Sequence, residues 1–98
     1  MKYKIEFAAE VEEHFRFLLR RQQVIVLSAI EKQLTYQPLV ETKHRKPMRP
    51  NPIAPWELRI DNLRVYYDVD EEKRFVYILA VGIKERDKVR IGKEIVKL

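Results

Sequence analysis

The sequence predicts an α+β domain: an N-terminal strand, then a helical hairpin packed on one face of a small antiparallel sheet whose last three strands form a meander. Three observations carry this. Residues 2–7 alternate polar and apolar side chains, the period of a half-buried strand. Residues 8–34 switch to apolar residues at helical spacing. From Trp56 to Arg86, in WELRIDNLRVYYDVDEEKRFVYILAVGIKER, alternation returns on both sides of Asp61-Asn62, and a nearly continuous apolar run then ends at Gly82. A chain of 98 residues supports one core, so residues 1–98 are expected to form a single domain.

Each element has its own warrant. In the first strand Tyr3, Ile5 and Phe7 oppose Lys2, Lys4 and Glu6. A first helix over residues 8–20 follows from Ala8, Val11, Phe15, Leu18 and Leu19, with Glu10, Glu12 and Glu13 early and Arg16, Arg20 and Arg21 late, as the helix dipole favours. Val24, Leu27, Ile30, Glu31 and Leu34 mark a second, which must stop before Pro38 because proline drives Gln37 out of the helical region. Residues 38–55 hold all five prolines and are expected to be irregular, with Lys43, His44, Arg45, Lys46 and Arg49 forming a basic loop that no acid compensates.

With Asp61-Asn62 as a two-residue turn, Ile60 pairs with Leu63, Arg59 with Arg64, Leu58 with Val65, Glu57 with Tyr66 and Trp56 with Tyr67. Asp68, Asp70, Glu71 and Glu72 then make a solvated acidic loop beside Lys73 and Arg74. The stretch from Lys84 to Lys93 fits either a helical turn or an extended tail, and Gly92 opposes one long helix.

Composition removes several classes of function. Cysteine is absent, which excludes disulfides, thiolate nucleophiles and zinc–cysteine sites. Two glycines cannot build a phosphate-cradling loop, and His14 and His44 are too far apart for a local metal site. No cofactor and no metal are expected. No apolar run approaches the roughly 18 residues of a membrane span, and no signal-peptide core follows Met1-Lys2, so a cytoplasmic protein without a membrane partner is expected. The net charge of +5 points to an anionic partner. Residues 41–98 carry fourteen Lys+Arg against ten Asp+Glu, so the excess lies with the hairpin.

The facing arginines are the sharpest feature. Like charges directly opposite each other destabilise a sheet, so Arg59 and Arg64 either bind an anion or are neutralised by Glu57 and Asp68. Tyr66 shares their face by register, Lys84 and Arg86 follow the buried strand, and the basic loop enters from the other end. Such a surface suits a phosphodiester: cations stabilise the charge that develops when a 2′-hydroxyl attacks the phosphate, and Lys84, His44 or Tyr66 would carry the protons. His14, beside the helical stripe, and Trp56, on the core face, are expected to pack.

The element order, the WELRIDNLRVYYDVD hairpin (aromatic-x-[LI]-[KR]-[LIV], a short turn, R-[LV]-x-Y) and the VGIKER ending resemble the RelE/ParE superfamily of toxins from toxin–antitoxin systems. The resemblance implies a RelE-like fold, a cognate antitoxin protein as partner, and a ribosome-dependent, metal-independent mRNA endonuclease that inhibits translation. It puts Arg59 and Arg64 on two basic catalytic positions, Lys84 on a third that is usually arginine, and Arg86 on a neighbour. Lys43, His44, Arg45, Lys46 and Arg49, with Tyr66 and Arg90, would hold mRNA or ribosomal RNA. Glu57 stands where a basic residue is common and Arg90 where a tyrosine is common. These departures keep an alternative open: a ParE-like inhibitor of DNA gyrase, or a catalytically degenerate homologue that only binds its antitoxin.

Overall fold

A computed structural model describes all 98 residues. The elements are β1 (Lys4–Phe7), α1 (Glu10–Arg16), α2 (Arg20–Leu34), β2 (Arg45–Pro47), β3 (Trp56–Ile60), β4 (Leu63–Asp70), β5 (Phe75–Glu85), β6 (Lys88–Ile91) and β7 (Glu94–Val96). The expected α+β layering is present: two helices on one face of a seven-stranded sheet in which β2 to β7 are antiparallel and adjacent in order. Strand β1 joins it parallel to β5, from Lys4 opposite Phe75 to Phe7 opposite Ile78. Farther along the same edge β6 pairs with β5, from Gly82 opposite Ile91 to Glu85 opposite Lys88.

The hairpin register is the one the turn demands, Glu57 opposite Tyr66 and Arg59 opposite Arg64. Alternation then sorts the side chains. Leu58, Val65, Tyr67, Val76, Ile78 and Val81 meet Val11, Val26, Ile30 and Leu34 in the main core, and Trp56 stacks on Tyr67 with ring centroids 6.1 Å apart. The buried Tyr67 hydroxyl donates to the Pro38 carbonyl at 2.7 Å, tying the loop after α2 to the sheet.

The other face carries a smaller cluster of Ala54, Tyr66, Ala80, Val89 and Ile91. Two devices build it. Tyr66 faces Ala80 but Tyr67 faces Ile78, so Leu79 is the extra residue of a bulge that turns Leu79 and Ala80 to the same side. Gly82 lets β6 close on β5: a Cβ there would lie 2.5 Å from the Arg90 carbonyl oxygen.

Five expectations are corrected. The first helix is shorter than residues 8–20 and the second begins at Arg20. Leu19 is extended, the Gln22 Oε1 accepts its N–H at 2.8 Å, and the Gln23 side chain donates to the Phe15 carbonyl at 2.8 Å, so two glutamines cap a break that apolar spacing hides. Arg20 and Arg21 consequently occupy the first turn of α2, the end the dipole disfavours for cations. Next, α2 buries Val26, Ile30 and Leu34, while Val24 and Leu27 are 62% and 46% exposed. The run Val24-Ile25-Val26 makes the helix apolar on two sides, and only contact with the sheet chooses between them. The stretch from Lys84 to Lys93 is neither a helical turn nor a tail, since β5 runs past Gly82 to Glu85 and strands β6 and β7 follow, joined by turns at Arg86-Asp87 and Gly92-Lys93. Finally, Arg45–Pro47 is a short edge strand within the proline-rich segment, and Asp68 and Asp70 belong to β4.

Candidate nucleic-acid interface

Strand alternation sends Lys46, Glu57, Arg59, Arg64 and Tyr66 to the face away from the helices. His44 precedes β2 and stands opposite Arg59, whose backbone N–H it accepts at 2.8 Å. Lys84, the next β5 residue on this side, lies opposite Val89.

The facing arginines are joined by an acid. Arg59 Nε donates to Glu57 Oε1 at 2.6 Å, and Arg64 Nε lies 3.9 Å from Glu57 Oε2. Of the two expectations, neutralisation by Glu57 is what the structure displays; Asp68 takes no part. The arginines differ in freedom. Arg64, with a side chain 13% exposed, donates Nη1 to the Asp61 and Leu63 carbonyls at 2.7 and 2.9 Å and braces the turn. Arg59, 49% exposed, keeps its terminal nitrogens free.

Tyr66 is wholly buried in the second cluster, so it cannot touch a nucleic acid directly. Burial, then the Glu57 carboxylate, pushes its phenol pKa above the ordinary value against the opposing charges of Arg64 and Arg59. Its hydroxyl lies near Glu57 yet forms no hydrogen bond of normal geometry.

A cleft of about 410 Å³ gathers Arg49, Arg59 and Lys84 against Glu57 and Asp87, with Val89 in its wall. Arg49 reaches it because Asn51 folds the proline-rich loop around itself: its Oδ1 accepts the Ile53 and Ala54 N–H groups at 2.8 and 3.0 Å, and its Nδ2 donates to the Arg49 carbonyl at 2.7 Å. Nothing singled out Asn51 in advance, although an asparagine between two prolines is a turn signal. Outside the lining of this cleft, His44 Nδ1 lies 3.1 Å from the Arg59 carbonyl. A carbonyl only accepts, so this contact places the proton on Nδ1 and leaves Nε2 as the basic atom.

Other expected members lie elsewhere. Arg45 is 7% exposed on the helix side, donating to the Val40 and Gln33 carbonyls at 2.8 Å each, because its position opposite Leu58 points it to the core. Arg90 stands opposite Ile83, on the helix-side parity, and binds both Glu85 oxygens at 3.0 Å. Lys46 sits 3.6 Å from Glu41, so the basic loop does have an acid beside it. Lys43 is exposed without an ion pair, and Arg86 occupies the β5–β6 turn at φ 62°. His14 is structural: its Nδ1 accepts the Val81 N–H at 3.3 Å, in the gap between β1 and β6 along β5.

These features define a small basic α+β protein with a helical hairpin on one sheet face and a cationic cleft on the other. No protein-family model and no curated protein matches the chain. Solved structures do, and they identify the fold as RelE-like. A chain of the toxin–antitoxin complex RelBE2 from Mycobacterium tuberculosis superposes with a TM-score of 0.74 at 24% identity, covering 86% of this chain and all of that one. A chain of the archaeal RelE–RelB complex from Pyrococcus horikoshii OT3 gives 0.61 at 19% identity, covering 88% of this chain and 99% of that one.

Proposed function

We propose that this protein is the toxin of a toxin–antitoxin pair, a ribosome-dependent, metal-independent mRNA endonuclease that works in the cytoplasm and is neutralised by a cognate antitoxin. The observation that carries this is the cleft in which Arg49, Arg59 and Lys84 converge on the open side of a RelE-like sheet. In this reading Arg59 and Lys84 stabilise the negative charge developing on the attacked phosphate, and Arg49 with Lys43 and Lys46 tracks the RNA backbone. Arg86, at its exposed turn, reaches the strand beyond the scissile phosphate. The 2′-hydroxyl proton passes to His44 Nε2, and Lys84 protonates the departing 5′-oxygen. Arg64 and Tyr66 serve from beneath.

The antitoxin has a natural seat on the opposite side. Phe7, Val24 and Leu27 are exposed around a largely apolar cleft of about 740 Å³ between β1 and α2, and such patches mark interaction surfaces.

Purified protein added to translating ribosomes should cut mRNA, read by primer extension, and Arg59→Ala should reduce cleavage by about 100-fold, the loss typical of one preorganised charge donor. One observation favours a second reading: Glu57 already neutralises Arg59 and lies near Arg64. A non-catalytic ParE-like gyrase inhibitor would leave mRNA intact and block DNA supercoiling instead, whereas a degenerate homologue would do neither and still bind the antitoxin.

A further inference from the structure

Tyr66 carries the only buried side-chain polar atom without a hydrogen-bond partner. Native proteins keep few such groups, because an unpaired buried hydroxyl is costly, and each needs a reason. Its cross-strand neighbour is Glu57. Directly opposed side chains in an antiparallel pair stand close enough that a change of side-chain torsion carries the carboxylate onto the hydroxyl without moving the backbone. In the structure the Glu57 carboxylate lies beside that hydroxyl but is aligned on Arg59, whose Nε donates to its Oε1 at 2.6 Å, and forms no hydrogen bond with the phenol. A phosphate arriving at Arg59 would meet that carboxylate as a like charge.

We propose that Glu57 is a two-position carboxylate: it clasps Arg59 until a phosphate group enters the cleft, then transfers to the Tyr66 hydroxyl and leaves Arg59 to the phosphate. The proposal rests on the cleft's being an RNA site. Each position satisfies a different partner, so the ion pair lost at Arg59 is offset by a charge-assisted hydrogen bond from Tyr66. Arg64 is pinned by the Asp61 and Leu63 carbonyls, and its Nε near Glu57 holds the acid within reach in both positions. Tyr66 then acts as a positioning residue that never touches RNA, and Glu57 makes the cleft selective for anions strong enough to displace it.

The probe is a short fluorescein-labelled single-stranded RNA bearing 2′-O-methyl groups, which bind but cannot be cleaved, titrated into the full chain at fixed ionic strength. Arg59→Ala should weaken binding about tenfold, as loss of a charged hydrogen bond does. Glu57→Gln should tighten it, and Tyr66→Phe should weaken it about fivefold, the worth of one net hydrogen bond. The decisive result is the combination: in the Glu57→Gln background no charge needs relocating, so Tyr66→Phe should change affinity less than about twofold. The Tyr66 Cζ NMR resonance should also shift on RNA addition in the wild type, reporting the new hydrogen bond, and stay still in Glu57→Gln. If Tyr66→Phe acts equally in both backgrounds, or in neither, while Arg59→Ala still weakens binding, the two-position carboxylate is wrong and the RNA site survives. If Arg59→Ala changes nothing and binding does not fall with salt, the RNA site itself is wrong.

Discussion

Tyr66 and Tyr67 are adjacent in β4, both wholly buried, and they serve opposite faces of one sheet. Burial raises both phenol pKa values. Tyr67, under the helices, donates its hydroxyl to the Pro38 carbonyl; Tyr66, under the proline-rich loop and β6, donates to nothing. The same contrast runs through the arginines. Arg45 on the helix side is held by three acceptors, from Val40 and Gln33, whereas Arg59 on the far side has one carboxylate and both terminal nitrogens free. On the helix side every buried side-chain polar atom has a partner. Polar groups left partly satisfied collect on the other side, and that is where a ligand has something to gain by binding.

The sharpest way to break this comparison is to open the second face alone. In Gly82→Ala the new Cβ would meet backbone, 2.5 Å from the Arg90 oxygen, as well as the Val89 and Ile91 side chains at 2.8 and 2.9 Å. Backbone cannot rotate away, so β6 must lift from β5, at a cost of about 3 kcal/mol, the upper end for overpacking. Urea denaturation should register that loss. A midpoint left in place would mean that the second cluster is too soft to matter.

The tyrosines come next in size. Tyr67→Phe strands the Pro38 carbonyl in the core and should destabilise by about 1–3 kcal/mol, while Tyr66→Phe deletes a hydroxyl with no partner and should leave stability unchanged or raise it by up to about 1 kcal/mol. Equal losses would show that the Tyr66 hydroxyl is satisfied in solution. Smaller still is the packing contrast. Ile78→Val in the main core should cost about 1.5 kcal/mol and Ile91→Val in the second cluster about 0.5 kcal/mol, because the smaller cluster collapses more readily around a lost methyl group. Ile78 is fully buried and Ile91 is 8% exposed.

How much of this was legible in the sequence depends on how far each feature reaches along the chain. The β3–β4 register was readable because a two-residue turn leaves no freedom in pairing, and the faces of Leu58 and Arg59 follow from it. The break at Leu19 was hidden because Leu18 and Leu19 continue the apolar pattern, and the glutamines that cap it look like ordinary surface residues. Strands β6 and β7 were obscured by charge: Lys88, Arg90, Lys93 and Glu94 surround the Val89, Ile91 and Ile95 alternation that marks them. At the site, sequence placed Arg59, Arg64 and Lys84 on one face but could not say which charge each would meet. That depends on contacts between elements, such as Arg45 of β2 with Gln33 of α2 or Arg90 of β6 with Glu85 of β5, which local pattern does not encode.

The smallest predicted effect tests the seam between the two faces. His14 accepts the Val81 N–H where β5 lacks a strand neighbour, and a Cβ on Gly92, in the β6–β7 turn, would sit 3.4 Å from its ring. Only neutral imidazole has a nitrogen lone pair to offer, and burial accordingly lowers the His14 pKa from 6.5, against the opposing pull of Glu10, Glu13 and Glu94. The unfolded chain therefore takes up a proton at a higher pH than the folded one does. Stability from this group is intact above pH 6.5 and declines as the pH falls through the interval between 6.5 and the lower folded-state value. Urea midpoints across that range should fall in the wild type. They should fall less in His14→Asn, whose side-chain oxygen can accept the Val81 N–H but does not titrate. Because the contact joins α1 to β5 beside the β6–β7 turn, amide exchange in the wild type should quicken at acid pH in β6 and β7 before it does in β3 and β4. Uniform quickening would mean that the two faces open together.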